Sequence, residues 1–282
     1  MKKKVIFCGT PDFACPTLTS LKDIKDIEIT HVITQPDKIR SRGSKKSATP
    51  IKELALKLNL NVSTPTNKDT FRDLIQNLKP DILIVIAYGM ILPKEIVNNF
   101  YCINLHASLL PQYRGASPIQ AALLNNDTQT GITLIHMNEK MDEGAILLKN
   151  SCNIEKKDNF AILHDNLAQL AASTCSEWIE KSLKNHKIDP IKQNHSNATY
   201  CKKIKKEDLF LDPKNDIKTN FAKIRAFSPT PGAYTIKNNK RIKILAAEIE
   251  NNELIPITVK PEGKKVMTYA DFKRGYNTTL LC

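Results

Sequence analysis

The run Ile82-Leu83-Ile84-Val85-Ile86, opened by Asp81 and followed by Ala87-Tyr88-Gly89, constrains this chain more than any other stretch. Five apolar, mostly β-branched residues in a row have no polar face. A strand made of them must be covered on both sides, which places it in the middle of a parallel sheet flanked by helices. The surrounding sequence continues that pattern. Val5–Gly9 reads as a first buried strand, ending in the turn Gly9-Thr10-Pro11-Asp12-Phe13, and Glu28–Thr34 as a second. Helical spacing marks Pro16–Leu21, Ile51–Leu58, Lys68–Leu78 and a long helix over Asn159–Leu183. Further strands are expected near Val62, at Gly131–Met137 and at Ala145–Ile154. Strands alternating with helices predict an α/β fold with a doubly wound, mostly parallel, Rossmann-like sheet. The single glycine after the first strand is not a G-x-G-x-x-G fingerprint, so no dinucleotide is implied.

Past Leu183 the pattern breaks. Asn185–Tyr200 is polar, a basic patch Lys202-Lys203-Ile204-Lys205-Lys206 follows, and short strand-like pieces come at Gly232–Ile236, Ile242–Ala247 and Ile255–Val259. Turn signals such as Lys237-Asn238-Asn239-Lys240 and Pro261-Glu262-Gly263 separate them. The expected organisation is a catalytic domain over 1–184, a linker over 185–206 and a smaller β-rich domain over 207–282.

Composition narrows the setting. The chain has 282 residues, 41% hydrophobic and 25% charged, as in ordinary soluble proteins. No apolar run approaches the roughly 20 residues that span a bilayer. Lys2-Lys3-Lys4 resembles the start of a signal peptide, but the apolar run Val5–Cys8 is too short for its core. The seven cysteines are scattered, with no C-x-x-C spacing, which suits free thiols in a reducing cytoplasm. No metal-ligand constellation stands out. Net charge is +13, from 42 basic and 29 acidic residues. Such an excess suggests a polyanionic partner, although a lysine-rich proteome produces the same charge. The loop from Gln35 to Pro50 concentrates it, with Lys38, Arg40, Arg42, Lys45 and Lys46 against the single acid Asp37. A long basic loop between two core elements fits a grip on phosphates.

Candidate chemistry lies in Asn104–Pro118. Asn104 and His106 are two apart, so in a strand both side chains leave one face. By itself an Asn-x-His pair is equally two polar residues ending a strand. Asp142 follows the next strand and can orient the imidazole, so three polar groups can converge at the carboxyl edge of one sheet. An amide N–H stabilises a developing oxyanion, an imidazole moves protons, and a carboxylate holds its tautomer. Together they suit acyl transfer to an amine. Ser108 is a rival nucleophile but has no G-x-S-x-G elbow. His31 and His136 lie in strand patterns and Trp178 on the long helix; all three read as structural.

With these segments in view, the chain resembles the formyltetrahydrofolate-dependent formyltransferases over almost its whole length. The matching residues are Phe7-Cys8-Gly9-Thr10-Pro11-Asp12-Phe13-Ala14, Thr34-Gln35-Pro36-Asp37, Ala87 to Pro93, Ile103-Asn104-Leu105-His106-Ala107-Ser108-Leu109-Leu110-Pro111, Tyr113 to Gln120, Met141-Asp142-Glu143-Gly144, and Ile224-Arg225-Ala226-Phe227. The resemblance implies that Asn104, His106 and Asp142 are catalytic. It implies that Ser108, Leu109, Leu110 and Pro111 contact the folate, with Tyr88, Gly89 and Ile91 lining the pterin pocket. The donor it implies is 10-formyltetrahydrofolate, and tetrahydrofolate is the released product.

The family also acts on glycinamide ribonucleotide and on amino-sugar nucleotides, which remain the alternative acceptors. The basic loop, the basic linker and the Arg-Gly-Ala-Ser-Pro-Ile-Gln signature fit the branch that formylates methionyl initiator tRNA. In that branch Lys38, Arg40, Arg42, Lys45, Lys46, Lys202, Lys203, Lys205 and Lys206 would contact the tRNA. A non-enzymatic folate- or RNA-binding protein would have lost one of the three catalytic residues, and all three are present. The C-terminal domain departs from the family's barrel in being shorter, with strands missing between Glu248 and Ile255. A cytoplasmic monomer is expected, with no membrane association.

Overall fold

The computed structural model describes residues 1–39, 46–183, 189–276 and 279–280. It divides into two compact units. The first comprises Met1–Arg114, Gly131–Cys152 and Asp165–Tyr200; the second comprises Gly115–Thr130, Asn153–His164 and Cys201–Cys282.

The first unit is built on a seven-stranded sheet. Its strands are β1 (Lys3–Gly9), β2 (Ile27–Ile33), β3 (Val62–Ser63), β4 (Ile82–Ile86), β5 (Cys102–His106), β6 (Gln129–His136) and β7 (Ala145–Asn153), in the spatial order β7-β6-β5-β4-β1-β2-β3. Pairings among β5, β4, β1, β2 and β3 are parallel, whereas β6 runs antiparallel to β5. The sheet is therefore mixed α/β and mostly parallel. Its five parallel strands follow the Rossmann order 3-2-1-4-5, with the reversal between β1 and β4. All five residues of β4 are buried, as its unbroken apolar run requires. On one face, Ile6, Cys8, Leu83 and Val85 pack with Phe71 and Ile75 of α1 (Lys68–Leu78) and Ile96 and Val97 of α2 (Lys94–Asn99). Helix starts are chemically marked. Thr49 caps the helix Pro50–Lys57 by accepting the Lys52 N–H at 3.1 Å, and Asn67 forms a reciprocal capping box with Thr70 at the start of α1. The basic loop is framed by a short antiparallel ribbon, Lys38–Ile39 against Lys46–Ser47. Beside it, Asp37 pairs with Lys52 at 2.8 Å.

The second unit carries an antiparallel sheet of β8 (Ala233–Lys237), β9 (Lys240–Glu250), β10 (Glu253–Pro261) and β11 (Met267–Thr268), in that order, with the helix Ile217–Phe227 against β9. Two Asn-Asn pairs make its tight turns. Asn238 and Asn239 have φ of 50° and 58°, and Asn251 and Asn252 have φ of 48° and 62°. Positive φ at both central residues defines the hairpin turn whose twist matches the strands, and asparagine tolerates it. The second turn joins β9 directly to β10 at the place where the sequence is short. The shortened barrel is thus a four-stranded meander, and among the described residues no pairing joins β8 to β11.

Burial of three thiols has a consequence for stability. Burial raises Cys102 and Cys175 each to about 12 and also pushes Cys8 well up, with the neighbouring Cys102 adding to it. Unfolded thiols ionise near pH 8.5, so the folded state holds these protons where the unfolded state releases them. The contribution is intact below that pH and is lost as pH rises toward 12, by up to about 1.4 kcal/mol per pH unit for each thiol. The urea midpoint is expected to fall between pH 8 and pH 10.5. A Cys102→Ser/Cys175→Ser variant should show a shallower fall, and an equal slope would count against buried thiols as the cause.

Candidate active site

The pleat of β5 sends Asn104 and His106 to one face, opposite Ile135 and Thr133 of β6. Thr133 then turns the chain back. Its hydroxyl donates to the Ser108 carbonyl at 2.6 Å and accepts the Leu110 N–H at 3.0 Å. Ser108 is fully buried and donates to the Gln112 carbonyl at 2.5 Å, so its hydroxyl shapes the loop. The returning loop brings Tyr113 over His106, whose Nε2–H donates to the Tyr113 carbonyl at 2.8 Å.

Asp142 meets the other ring nitrogen. His106 Nδ1 lies 3.6 Å from Asp142 Oδ1, and His106 is 6% exposed. The path to this contact differs from the sequence expectation that Asp142 stands past a strand end at the carboxyl edge. Because β6 is antiparallel to β5, the Asp142 loop leaves beside the opposite end, where Met137 N–H donates to the Cys102 carbonyl at 2.8 Å. It returns toward His106 across the sheet. Glu139 ties the loop to α2, accepting from Asn98 Nδ2 at 3.0 Å and pairing with Lys94 at 2.8 Å. Gly144 closes the loop against β6, where an added Cβ would sit 2.0 Å from the His136 carbonyl oxygen.

This geometry handles protons. A carbonyl only accepts, so the Nε2 contact requires a proton there, and the neutral ring turns its Nδ1 lone pair toward a carboxylate. The doubly protonated ring donates on both sides. At 3.6 Å the Nδ1 contact is longer than a formed hydrogen bond. Asn104 is half-buried, and among the described residues its side-chain amide has no hydrogen-bond partner. It is free to donate to an oxygen that gains charge.

The other expected site residues divide by location. Tyr88 is 2% exposed, packs against Phe71 with the rings tilted by 37° and their centroids 5.7 Å apart, and has its phenol pushed up by burial. Its carbonyl accepts from Thr10 Oγ1 at 2.7 Å, bridging the ends of β1 and β4 at the sheet's reversal point. Gly89 is exposed with φ of 85°, and Ile91 is 63% exposed. Leu110 is fully buried with Ile135 and Ile146, while Leu109 and Pro111 are half-buried. The loops holding these two groups follow adjacent parallel strands, β4 and β5. Lys38 is exposed; the Lys46 backbone lies in the ribbon; Arg40, Arg42 and Lys45 lie outside the described residues. Lys202, Lys203, Lys205 and Lys206 belong to the second unit and are all exposed. His136 stacks on Tyr101 at 4.7 Å, which stacks in turn on Trp178, and burial lowers the imidazole.

Sequence reasoning missed what surrounds Asp142. Arg114 is 1% exposed, and its guanidinium donates to Gln193 Oε1, Tyr200 Oη and His195 Nδ1 and lies 3.5 Å from Glu143. Gln193 and Thr199 sit in the polar stretch read as linker. Among the described residues no group of three or more His, Cys, Asp or Glu could hold a metal ion, and no helix is long and apolar enough to cross a membrane.

The sheet is in Rossmann order and places Asn104, His106 and Asp142 about one strand, an α/β architecture with a candidate group-transfer site. The chain matches the formyl transferase family over residues 1–179 and the formyl transferase C-terminal domain over residues 203–256. It is 43% identical over 257 residues to the methionyl-tRNA formyltransferase of Hydrogenobaculum sp. (strain Y04AAS1), covering 89% of this chain and 82% of that one. The chain belongs to the formyl transferase family, in its methionyl-tRNA formyltransferase branch. Among solved structures, methionyl-tRNA formyltransferase from Clostridium thermocellum superposes with a TM-score of 0.63 at 20% identity, over 92% of this chain and 98% of that one. HypX from Aquifex aeolicus superposes with a TM-score of 0.69 at 15% identity; it matches 97% of this chain, which spans about half (49%) of the HypX chain. These likenesses bear on the fold.

Proposed function

We propose that the chain transfers the formyl group of 10-formyltetrahydrofolate to the α-amine of methionyl initiator tRNA, with Asn104, His106 and Asp142 as the catalytic residues. The observation that carries this is His106 held between the Tyr113 carbonyl and Asp142, beside an unengaged Asn104 amide. The bound folate supplies a formyl group activated on N10. The α-amine of an aminoacyl ester has a pKa below the about 7.7–8.0 of an ordinary α-amino group, so it is a neutral nucleophile near pH 7. Its nitrogen bonds to the formyl carbon as the bond to N10 breaks. Asn104 donates to the formyl oxygen while that oxygen carries charge. His106 takes the proton the amine loses and returns it toward the departing N10. Asp142 balances the charge on the ring at that moment.

The 87–93 loop suits a flat, polar-edged ring. It carries no charged side chain, exposes Ile91, and leaves the N–H groups of Gly89, Met90 and Ile91 without backbone partners among the described residues. On this reading Tyr88, Gly89 and Ile91 line the pterin site. Leu109 and Pro111 meet the folate by their exposed atoms, and Ser108 and Leu110 support them from below. Residues 1–184 form the catalytic domain and 185–206 the linker, with 207–282 binding tRNA. Lys38, Arg40, Arg42, Lys45 and Lys46, with Lys202, Lys203, Lys205 and Lys206, neutralise phosphates in a cytoplasmic, monomeric enzyme.

Offering 10-formyltetrahydrofolate with methionyl initiator tRNA, glycinamide ribonucleotide and an amino-sugar nucleotide in parallel tests the reading. Turnover is expected on the tRNA alone. An Arg42→Ala/Lys45→Ala/Lys46→Ala variant should raise the KM for tRNA and flatten its salt dependence by up to about three charges, with folate KM unchanged. Faster turnover of a small amine, or an unchanged salt slope, would overturn the acceptor assignment.

A further inference from the structure

Residues 189–200 lie between the two family-matched regions, which end at residue 179 and begin at residue 203. They nevertheless run beside both loops that flank His106. Ile191 pairs with Ile146 through two backbone hydrogen bonds of 2.8 Å, just past the Asp142 loop. Farther along, Thr199 Oγ1 accepts the Tyr113 N–H at 2.8 Å and the Thr199 carbonyl accepts the Arg114 N–H at 2.9 Å. Tyr113 is the residue whose carbonyl accepts the hydrogen bond from His106 Nε2–H.

Between these anchors sits Gln193, 6% exposed, with its amide fully engaged. Nε2 donates to the carbonyls of Asp142 and Gly144, both at 2.8 Å. Oε1 accepts from Arg114 Nη2 at 2.6 Å and Nε at 3.1 Å. Two carbonyls on one side and a guanidinium on the other settle which end is nitrogen. No other side chain of this length donates twice at one end and accepts twice at the other. Glutamate would set a carboxylate oxygen against two carbonyls, and asparagine is one methylene short. The grip also falls on a sensitive backbone. Asp142 has φ of 55°, a left-handed conformation that non-glycine residues seldom hold without support, and it aims the carboxylate at His106.

We propose that Gln193 is a positioning residue that fixes Asp142 against His106, so that the 189–200 segment sets both acceptors of the imidazole. This rests on the reading of His106 and Asp142 given above. Gln193 touches no reacting atom in it, so its loss acts on kcat through Asp142.

The test compares Gln193→Ala, Gln193→Glu, Asp142→Asn and the double variant Gln193→Ala/Asp142→Asn in full-length protein. Gln193→Ala and Gln193→Glu are expected to lower kcat on the order of 10²-fold per folded molecule, with both KM values within about twofold of wild type. In the Asp142→Asn background Gln193→Ala should cost little more. A fully multiplicative loss in the double variant, or a kcat per folded molecule equal to wild type, overturns the proposal. Nitrogen-15 NMR of histidine-labelled protein supplies a readout free of turnover. Gln193→Ala should reproduce the His106 ring shifts and titration of Asp142→Asn, and a wild-type curve overturns the proposal. If wild type fails to formylate the tRNA while the His106 response appears, the functional reading falls and the positioning role stands.

Discussion

His106→Ala is expected to lower kcat for formyl transfer by between about 10² and 10⁴-fold, the range for losing a positioned proton-transfer group. The KM for methionyl-tRNA should stay near wild type, because the ring is buried among the chain's own groups and presents little surface to a large acceptor. Asp142→Ala should lose nearly as much. It leaves the Nδ1 side without its carboxylate while the Tyr113 carbonyl still holds Nε2. Single-turnover assays with saturating donor separate the chemical step from tRNA release. Wild-type single-turnover rates in either variant would remove the trio from the mechanism. Asn104→Ala should also lower kcat, by a factor comparable to losing one oxyanion donor, about 10²–10³.

The second large effect is structural. Arg114→Met is expected to destabilise the first unit by about 3–5 kcal/mol, the usual cost of removing one partner from a buried charged network. The methionine replaces the volume but leaves Gln193 Oε1 and Glu143 facing an apolar chain. Arg114→Lys should recover little, because one ammonium cannot serve Gln193, Tyr200, His195 and Glu143 from a single point. Urea unfolding of both variants measures this. A loss below about 1 kcal/mol for Arg114→Met would mean the network is solvated and weakly coupled.

The elements show where sequence patterns suffice. The β4 strand was legible because burial on both faces removes every polar residue from it, and that signature is local. The helices at Pro50–Lys57 and Lys68–Leu78 were legible from helical spacing alone, and the structure adds their caps, Thr49 and Asn67. The Asn251-Asn252 turn was not read as a hairpin joining β9 to β10, although Asn238-Asn239 was read as a turn. Both use the same chemistry, but Asn251-Asn252 sits among Glu248, Glu250 and Glu253, which read as a polar connection rather than a two-residue turn.

The candidate site divides the same way. The sequence by itself determined that Asn104 and His106 share a face, since strand pleat has a period of two and needs no distant partner. It also supplied the motifs that place the chain in its family. Only the tertiary structure decided that Asp142 reaches His106 from an antiparallel strand, that Tyr113 holds the other ring nitrogen, and that a linker glutamine grips the Asp142 loop. Those contacts join residues up to 51 positions apart, Gln193 to Asp142 being the widest of them. A glutamine in a polar stretch carries no periodicity that distinguishes a solvated side chain from one whose four hydrogen-bonding positions are all used.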